Sequence, residues 1–208
     1  MKKITLLLLL TFGFSQNYSL EFDGVDDYVE IPSDDAFESI IHELTLQAWI
    51  KLNSMPSTEA NVISRRNFVG NPEGERHHFQ LDVRSDGSLS FSTQNNQNNS
   101  LYTAQSYTQS GLFTSGVWCN VAVTFNDGHI KFYVNGISVY TEDFGYREMF
   151  PNQHWVNFGR VHRAGGVPFW GEFPGKIDEI SIWGAEKTET EIQSYMSTPP
   201  TGNEEDLV

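Results

Sequence analysis

Leu44-Thr45-Leu46-Gln47-Ala48-Trp49-Ile50-Lys51-Leu52 alternates without a break. Successive side chains of a strand point to opposite faces, so Leu44, Leu46, Ala48, Ile50 and Leu52 share one face and predict a half-buried strand. Residues 117–125 repeat the pattern, with Val117, Cys119, Val121, Val123 and Phe125 expected inward. Ile130, Phe132 and Val134 line a third strand. Asn126-Asp127-Gly128 turns the chain between the second and third strands, and Asn135-Gly136, a strong hairpin signal, leads into residues 137–140. Shorter strand candidates lie at 19–22, 28–31, 61–65, 78–83, 89–93, 101–105, 155–159 and 176–183. Many short strands separated by turn residues predict an all-β sandwich or barrel.

One helix is expected near the end. Thr188 and Glu191 have the spacing of a capping box, and Ile192, Tyr195 and Met196 follow at helical intervals until Pro199-Pro200. At the other end, Met1-Lys2-Lys3 precedes an apolar run with five leucines from Leu6 to Leu10, and Gly13 and Ser15 are small. Residues 1–15 therefore read as an export signal that is removed, and the run is too short to serve as a membrane span. The expected product is secreted or extracellular, with one domain over 16–198 and an acidic linker or tail over 199–208. In-frame sequence beyond Val208 would make the chain the first piece of a longer protein.

The charge sets limits. With 13 Lys or Arg against 27 Asp or Glu, the chain carries −14, and loss of Lys2 and Lys3 with the signal takes it to −16. Phosphate backbones and anionic membrane surfaces would repel such a protein, so nucleic acid is not an expected partner. The lone Cys119 cannot form an internal disulfide; its place in an apolar alternation predicts a small buried hydrophobe.

Four stretches together carry a family resemblance: SLEFDGVDDYVEIP at 19–32, LTLQAWIKL at 44–52, WCNVAVTFND at 118–127 and GKIDEISIW at 175–183. Their order and spacing resemble the laminin-G-like jelly-roll domains of the concanavalin A-like superfamily, over nearly the whole chain after the signal. The resemblance implies a two-sheet antiparallel jelly-roll sandwich whose first and last strands pair. It also implies an extracellular module that binds glycans, proteins or a calcium ion. Many relatives bridge two cysteines late in the domain, which this chain cannot do.

Two candidate sites follow. Asp178 is in phase with Ile180 and Ile182, so if those face the core its carboxylate does too, and it then needs donors or a cation. Antiparallel pairing of the first and last strands would bring Asp178 to Asp23, and with Asp26 these carboxylates form a candidate structural Ca²⁺ site. The alternative is that they accept N–H bonds from neighbouring turns. The second candidate is a ligand surface between Tyr146 and Trp170. Trp155 and Trp170 offer aromatic faces for a sugar, and Arg160, His162 and Arg163 concentrate positive charge in an acidic chain. The alternative there is packing and structural ion pairs. Trp155 shares a strand face with Asn157 and Gly159, opposite Val156 and Phe158.

Catalysis is not expected. Retaining glycosidases of this superfamily need two carboxylates about 5–5.5 Å apart on one surface. Asp178 and Glu179 are consecutive and are expected to face opposite sides. The reading is a non-catalytic recognition module for a carbohydrate or glycoconjugate. The alternatives are a protein–protein adhesion or structural module, and an accessory domain of a larger glycan-active protein.

Overall fold

The computed structural model describes residues 18–69, 76–97, 100–151, 153–161, 163–164 and 170–208. The expected signal at 1–15 lies outside them. In chain order the elements are β1 (Leu20–Asp23), β2 (Val29–Ile31), α1 (Asp35–Glu38), β3 (Glu43–Leu52), β4 (Glu59–Val69), β5 (Arg76–Arg84), β6 (Leu89–Gln97) and β7 (Ser100–Tyr107). They continue with β8 (Cys119–Asn126), β9 (His129–Val134), β10 (Ile137–Asp143), β11 (Val156–Phe158), β12 (Arg163–Ala164), β13 (Pro174–Trp183) and α2 (Glu189–Tyr195).

Two antiparallel sheets stack face to face. The first has the order β1-β13-β3-β8-β9-β10 and the second β2-β11-β4-β5-β6-β7, with the short β12 lying parallel to β4. The first and last strands pair as expected, Leu20 against Ile177 and Asp23 against Pro174. Leu44, Leu46, Ala48, Ile50 and Leu52 of β3 are all buried, and they meet Phe79, Leu81, Val83, Leu89 and Phe91 of the second sheet in one core. Each such Leu, Ile or Phe contributes about 2 kcal/mol by leaving water. Cys119 belongs to this core, and burial pushes its thiol up to about 11. Val117 does not: it is exposed, because Gly116 turns the chain at φ +80° and β8 starts only at Cys119.

The hairpin turns behave as their residues predict. Asn135 and Gly136 both take positive φ (50° and 73°), the left-handed pair that matches the twist of two antiparallel strands. The capping box forms, with Thr188 Oγ1 accepting from the Glu191 N–H and the Glu191 carboxylate accepting from the Thr188 N–H. α2 lies on the outer face of the first sheet, where Ile192 packs on Ala122 and Tyr133 and its carbonyl accepts from Gln47 Nε2. The one-turn helix α1, capped by Asp34, was not foreseen. Residues 201–208 return to β13, where the Val208 N–H donates to the Ile182 carbonyl at 3.0 Å. Among the described residues no helix is long and apolar enough to cross a membrane.

Candidate functional site

β11 enters the second sheet between β2 and β4, pairing Val156 with Ile31, Asn157 with Glu30 and Phe158 with Val29. Val156 and Phe158 are buried in the core, so the alternate set faces outward. That set brings Trp155 and Asn157 of one strand beside Glu30 and Tyr28 of the other. Trp155 is 46% exposed and Tyr28 44%, two large aromatic surfaces on the outside of the sheet. Asn157 Nδ2 donates to the Trp155 carbonyl at 3.0 Å and fixes the chain there. Gly159 ends the strip at φ +82°, with a Phe22 ring where a Cβ would stand, so only glycine fits.

Arg160 is buried and ion-paired, the structural alternative to a ligand-binding cation. Its guanidinium lies over the Tyr28 ring, and Nη2 is 3.5 Å from Glu30 Oε1. Its charge is therefore matched locally, and it braces Tyr28 and Glu30 from beneath. Tyr28 and Glu30 were missed as site residues, although the alternation Tyr28-Val29-Glu30-Ile31 carries the signal that places them together. Trp170 is half-buried, with the Arg66 guanidinium 5.2 Å from its ring centroid. His162 and the Arg163 side chain lie outside the described residues.

Toward the middle of the same face the side chains are polar yet buried. Asn61 Nδ2 and Gln80 Nε2 donate to the two oxygens of Asp82 at 3.0 and 2.6 Å, Arg66 Nη1 donates to Gln80 Oε1, and Ser64 Oγ to Asn61 Oδ1. Burial, and then the nearby Glu59 carboxylate, push the Asp82 carboxyl up to about 7. Burial likewise raises Glu59.

The expected Asp23–Asp178 pair does not form. β13 begins at Pro174, so Asp23 stands against Pro174, while Asp178 lies beyond Ile177, the partner of Leu20 at the other end of β1. Asp178 also does not face the core. The β13–β3 register shifts between Asp178 and Ser181, where Glu179 takes φ +49°. Ile177 and Ile182 are both buried and Ile180 packs on the core, so one extra residue breaks the alternation and leaves Asp178 outward, opposite Trp49. For the same reason Asp178 and Glu179 line the same groove instead of opposite faces. Asp23 gathers instead with Asp26 and Asp27, their carboxylate oxygens within 4.8 Å of one another and all exposed. Asp23 Oδ1 accepts from the Val25 and Asp26 N–H groups, and Asp27 Oδ2 from the Asp23 N–H.

Residues 23–193 match a family model described as the Concanavalin A-like lectin/glucanases superfamily. No curated protein sequence matches the chain. Among solved structures, a candidate carbohydrate-binding protein from Bacteroides ovatus superposes with a TM-score of 0.63 at 18% identity. It covers 91% of this chain and 49% of its own, so the chain spans about half of that protein. The CBM40 of Ruminococcus gnavus IT-sialidase gives 0.61 at 18% identity, over 81% of this chain and 96% of that one. The same module has been solved bound to α2,3-sialyllactose. A heptameric SAP-like pentraxin from Limulus polyphemus gives 0.59 at 19% identity, over 90% and 89%. At these identities the likeness is one of fold.

Proposed function

Because the chain belongs to the concanavalin A-like lectin/glucanases superfamily, we propose that it is a non-catalytic carbohydrate-binding module of an exported protein. The observation that carries this reading is the strip on the second sheet, where exposed Trp155 and Tyr28 flank the Glu30–Arg160 pair. Sugars present apolar C–H faces and a rim of hydroxyls. An exposed aromatic ring covers the first, and the buried Arg160–Glu30 pair holds the Tyr28 ring in place, so stacking needs little further ordering. The fold of the Ruminococcus gnavus and Bacteroides ovatus neighbours supports the same class of ligand. Hydrolysis would need a second carboxylate facing Glu30 across the bond, and Glu30 is engaged by Arg160.

Trp155→Ala is expected to weaken glycan binding about tenfold, which is about 1.4 kcal/mol, with no change in the unfolding midpoint. Titration calorimetry with a hit from a glycan array measures it. An array silent for the wild-type protein, together with capture of an extracellular protein, would replace this reading by an adhesion module.

A calcium ion at the Asp23–Asp26–Asp27 turn is a separate part of the proposal. Asp178 leaves the ligand set and Asp27 joins it. Ca²⁺ takes 6–8 oxygens, and carboxylate oxygens beyond those already engaged by turn amides, completed by water, match its chemistry. At tenfold excess over its dissociation constant such an ion would add about 1.4 kcal/mol, a rise of a few degrees in the unfolding midpoint that EDTA reverses. An identical midpoint in Ca²⁺ and EDTA removes the site.

A further inference from the structure

A groove of about 930 Å³ lies on the outer face of the first sheet, lined among others by Trp49, Lys51, Trp118, Lys176, Asp178 and Glu179. The strand register sets these side chains in a grid. Lys176 stands opposite Lys51, Asp178 opposite Trp49, and Trp49 opposite Asn120. Lys51 Nζ is 5.6 Å from the Trp118 ring centroid, so one row crosses the three strands as Lys176, Lys51 and Trp118. The other crosses them as Asp178, Trp49 and Asn120. α2 covers the adjoining part of this face, and the residues that follow it, Met196, Ser197 and Pro199, wall one side of the groove.

Three features point to a ligand. Tryptophan is a costly choice for an outward position, yet two lie here, and Trp118 is 36% exposed. The bulge holds the non-glycine Glu179 at positive φ, and its effect is to aim Asp178 and Glu179 together into the groove. The groove also mixes donors and acceptors: two ammonium groups against two carboxylates. Lys176 is further matched by Glu21 at 3.3 Å. The floor therefore has no surplus positive charge, and the protein's net −14 disfavours anions.

We propose that this groove is a second glycan site, separate from the strip around Trp155, and that it takes a neutral pyranose. The rings of Trp49 and Trp118 stack on the sugar's C–H faces. Asp178 and Glu179 accept from hydroxyls, and Lys51 donates to them. Two strand spacings, about 10 Å, give room for one or two pyranose rings.

The test is an array of neutral, uronate-bearing and sialylated glycans. It is probed in parallel with wild-type protein, Trp118→Ala, Asp178→Asn and Trp155→Ala, each checked for an unchanged unfolding midpoint. At least one neutral glycan is expected to bind, with affinity at least tenfold lower in Trp118→Ala and Asp178→Asn, a loss separate from any that Trp155→Ala causes at the strip. Asp178→Asn keeps size and shape, so it remains informative if Trp118→Ala folds poorly. The proposal falls if no neutral glycan binds, or if neutral binding is indifferent to both groove substitutions. It also falls if neutral binding is lost only in Trp155→Ala, which would leave the strip as the glycan site. Silence across the array with capture of a protein overturns both sites.

Discussion

Arg65→Ala is expected to lower stability by about 4 kcal/mol, a fall of roughly 10 °C in the unfolding midpoint. Arg65 is fully buried, and burial lowers its pKa to about 10, so it stays charged at neutral pH. Its three donor groups join three parts of the chain. Nε donates to the His154 carbonyl at 3.0 Å, Nη1 to His78 Nδ1 at 3.0 Å, and Nη2 to Ser33 Oγ at 2.9 Å. The guanidinium also lies 5.6 Å from the Phe37 ring centroid of α1. His78 is neutral, because burial pulls its pKa down to about 3, so Nδ1 accepts from the arginine while Nε2 donates to the Ile40 carbonyl. Truncation leaves His78 Nδ1 unmatched in the interior and the His154 carbonyl and Ser33 hydroxyl unmatched at its partly buried edge, and it opens a cavity between β4, β5 and α1. Arg65→Met refills the volume without the hydrogen bonds and should recover about half of the loss. Chemical denaturation of both variants measures it; a loss under about 1 kcal/mol in Arg65→Ala would mean that the site rehydrates freely.

The second large effect depends on pH. Asp82 has a folded pKa of about 7 against an ordinary carboxylate value near 4, so the folded state holds its proton more tightly. The stability this contributes is fully present below about pH 4 and is lost as pH rises through 7, up to a few kcal/mol in all. His78 works in the opposite sense. Its folded pKa lies below the unfolded one, so its contribution is lost as pH falls from about 6.5 toward 3. The two windows overlap and mask each other in the wild-type curve. Asp82→Asn isolates the first. Asparagine cannot ionise, but its NH2 replaces one of the two oxygens that accept from Asn61 Nδ2 and Gln80 Nε2, so one of those donors loses its acceptor at every pH. The variant should be less stable than the wild-type protein near pH 4, by about the cost of one unmade hydrogen bond, and should gain on it by a few kcal/mol between pH 4 and pH 8. Denaturant titrations at both pH values decide it: a constant difference between the two proteins would show that Asp82 ionises normally in the fold.

Much of the architecture follows from local patterns. The period of two in residues 44–52 placed five side chains in the core, and all five are there. The Asn-Gly turn and the Thr188–Glu191 box depend on residues a few positions apart, so their chemistry is complete within the segment itself. Alternation in 155–159 sets Trp155 opposite Val156 and Phe158 without deciding which face is open, and Trp155 is the exposed one. The site residues fared differently. Arg160 reads as one of a basic trio, but its partner Glu30 is 130 positions away in sequence and adjacent only because β2 pairs with β11. Asp82 and Arg65 look like ordinary surface residues of polar strands, and their burial depends on the segments that pack over them.

Asp178 marks the boundary most clearly. Strand periodicity in Ile177-Asp178-Glu179-Ile180-Ser181-Ile182 is a statement about faces, and a single extra residue reverses it for everything on one side. The amino acids do encode the alternation, the sandwich class and the net charge of −14. Where the extra residue falls depends on how β13 is held against β3 and β1, and that balance is struck between strands more than a hundred residues apart. It moves Asp178 from a presumed core carboxylate beside Asp23 to the wall of an open groove beside Trp49.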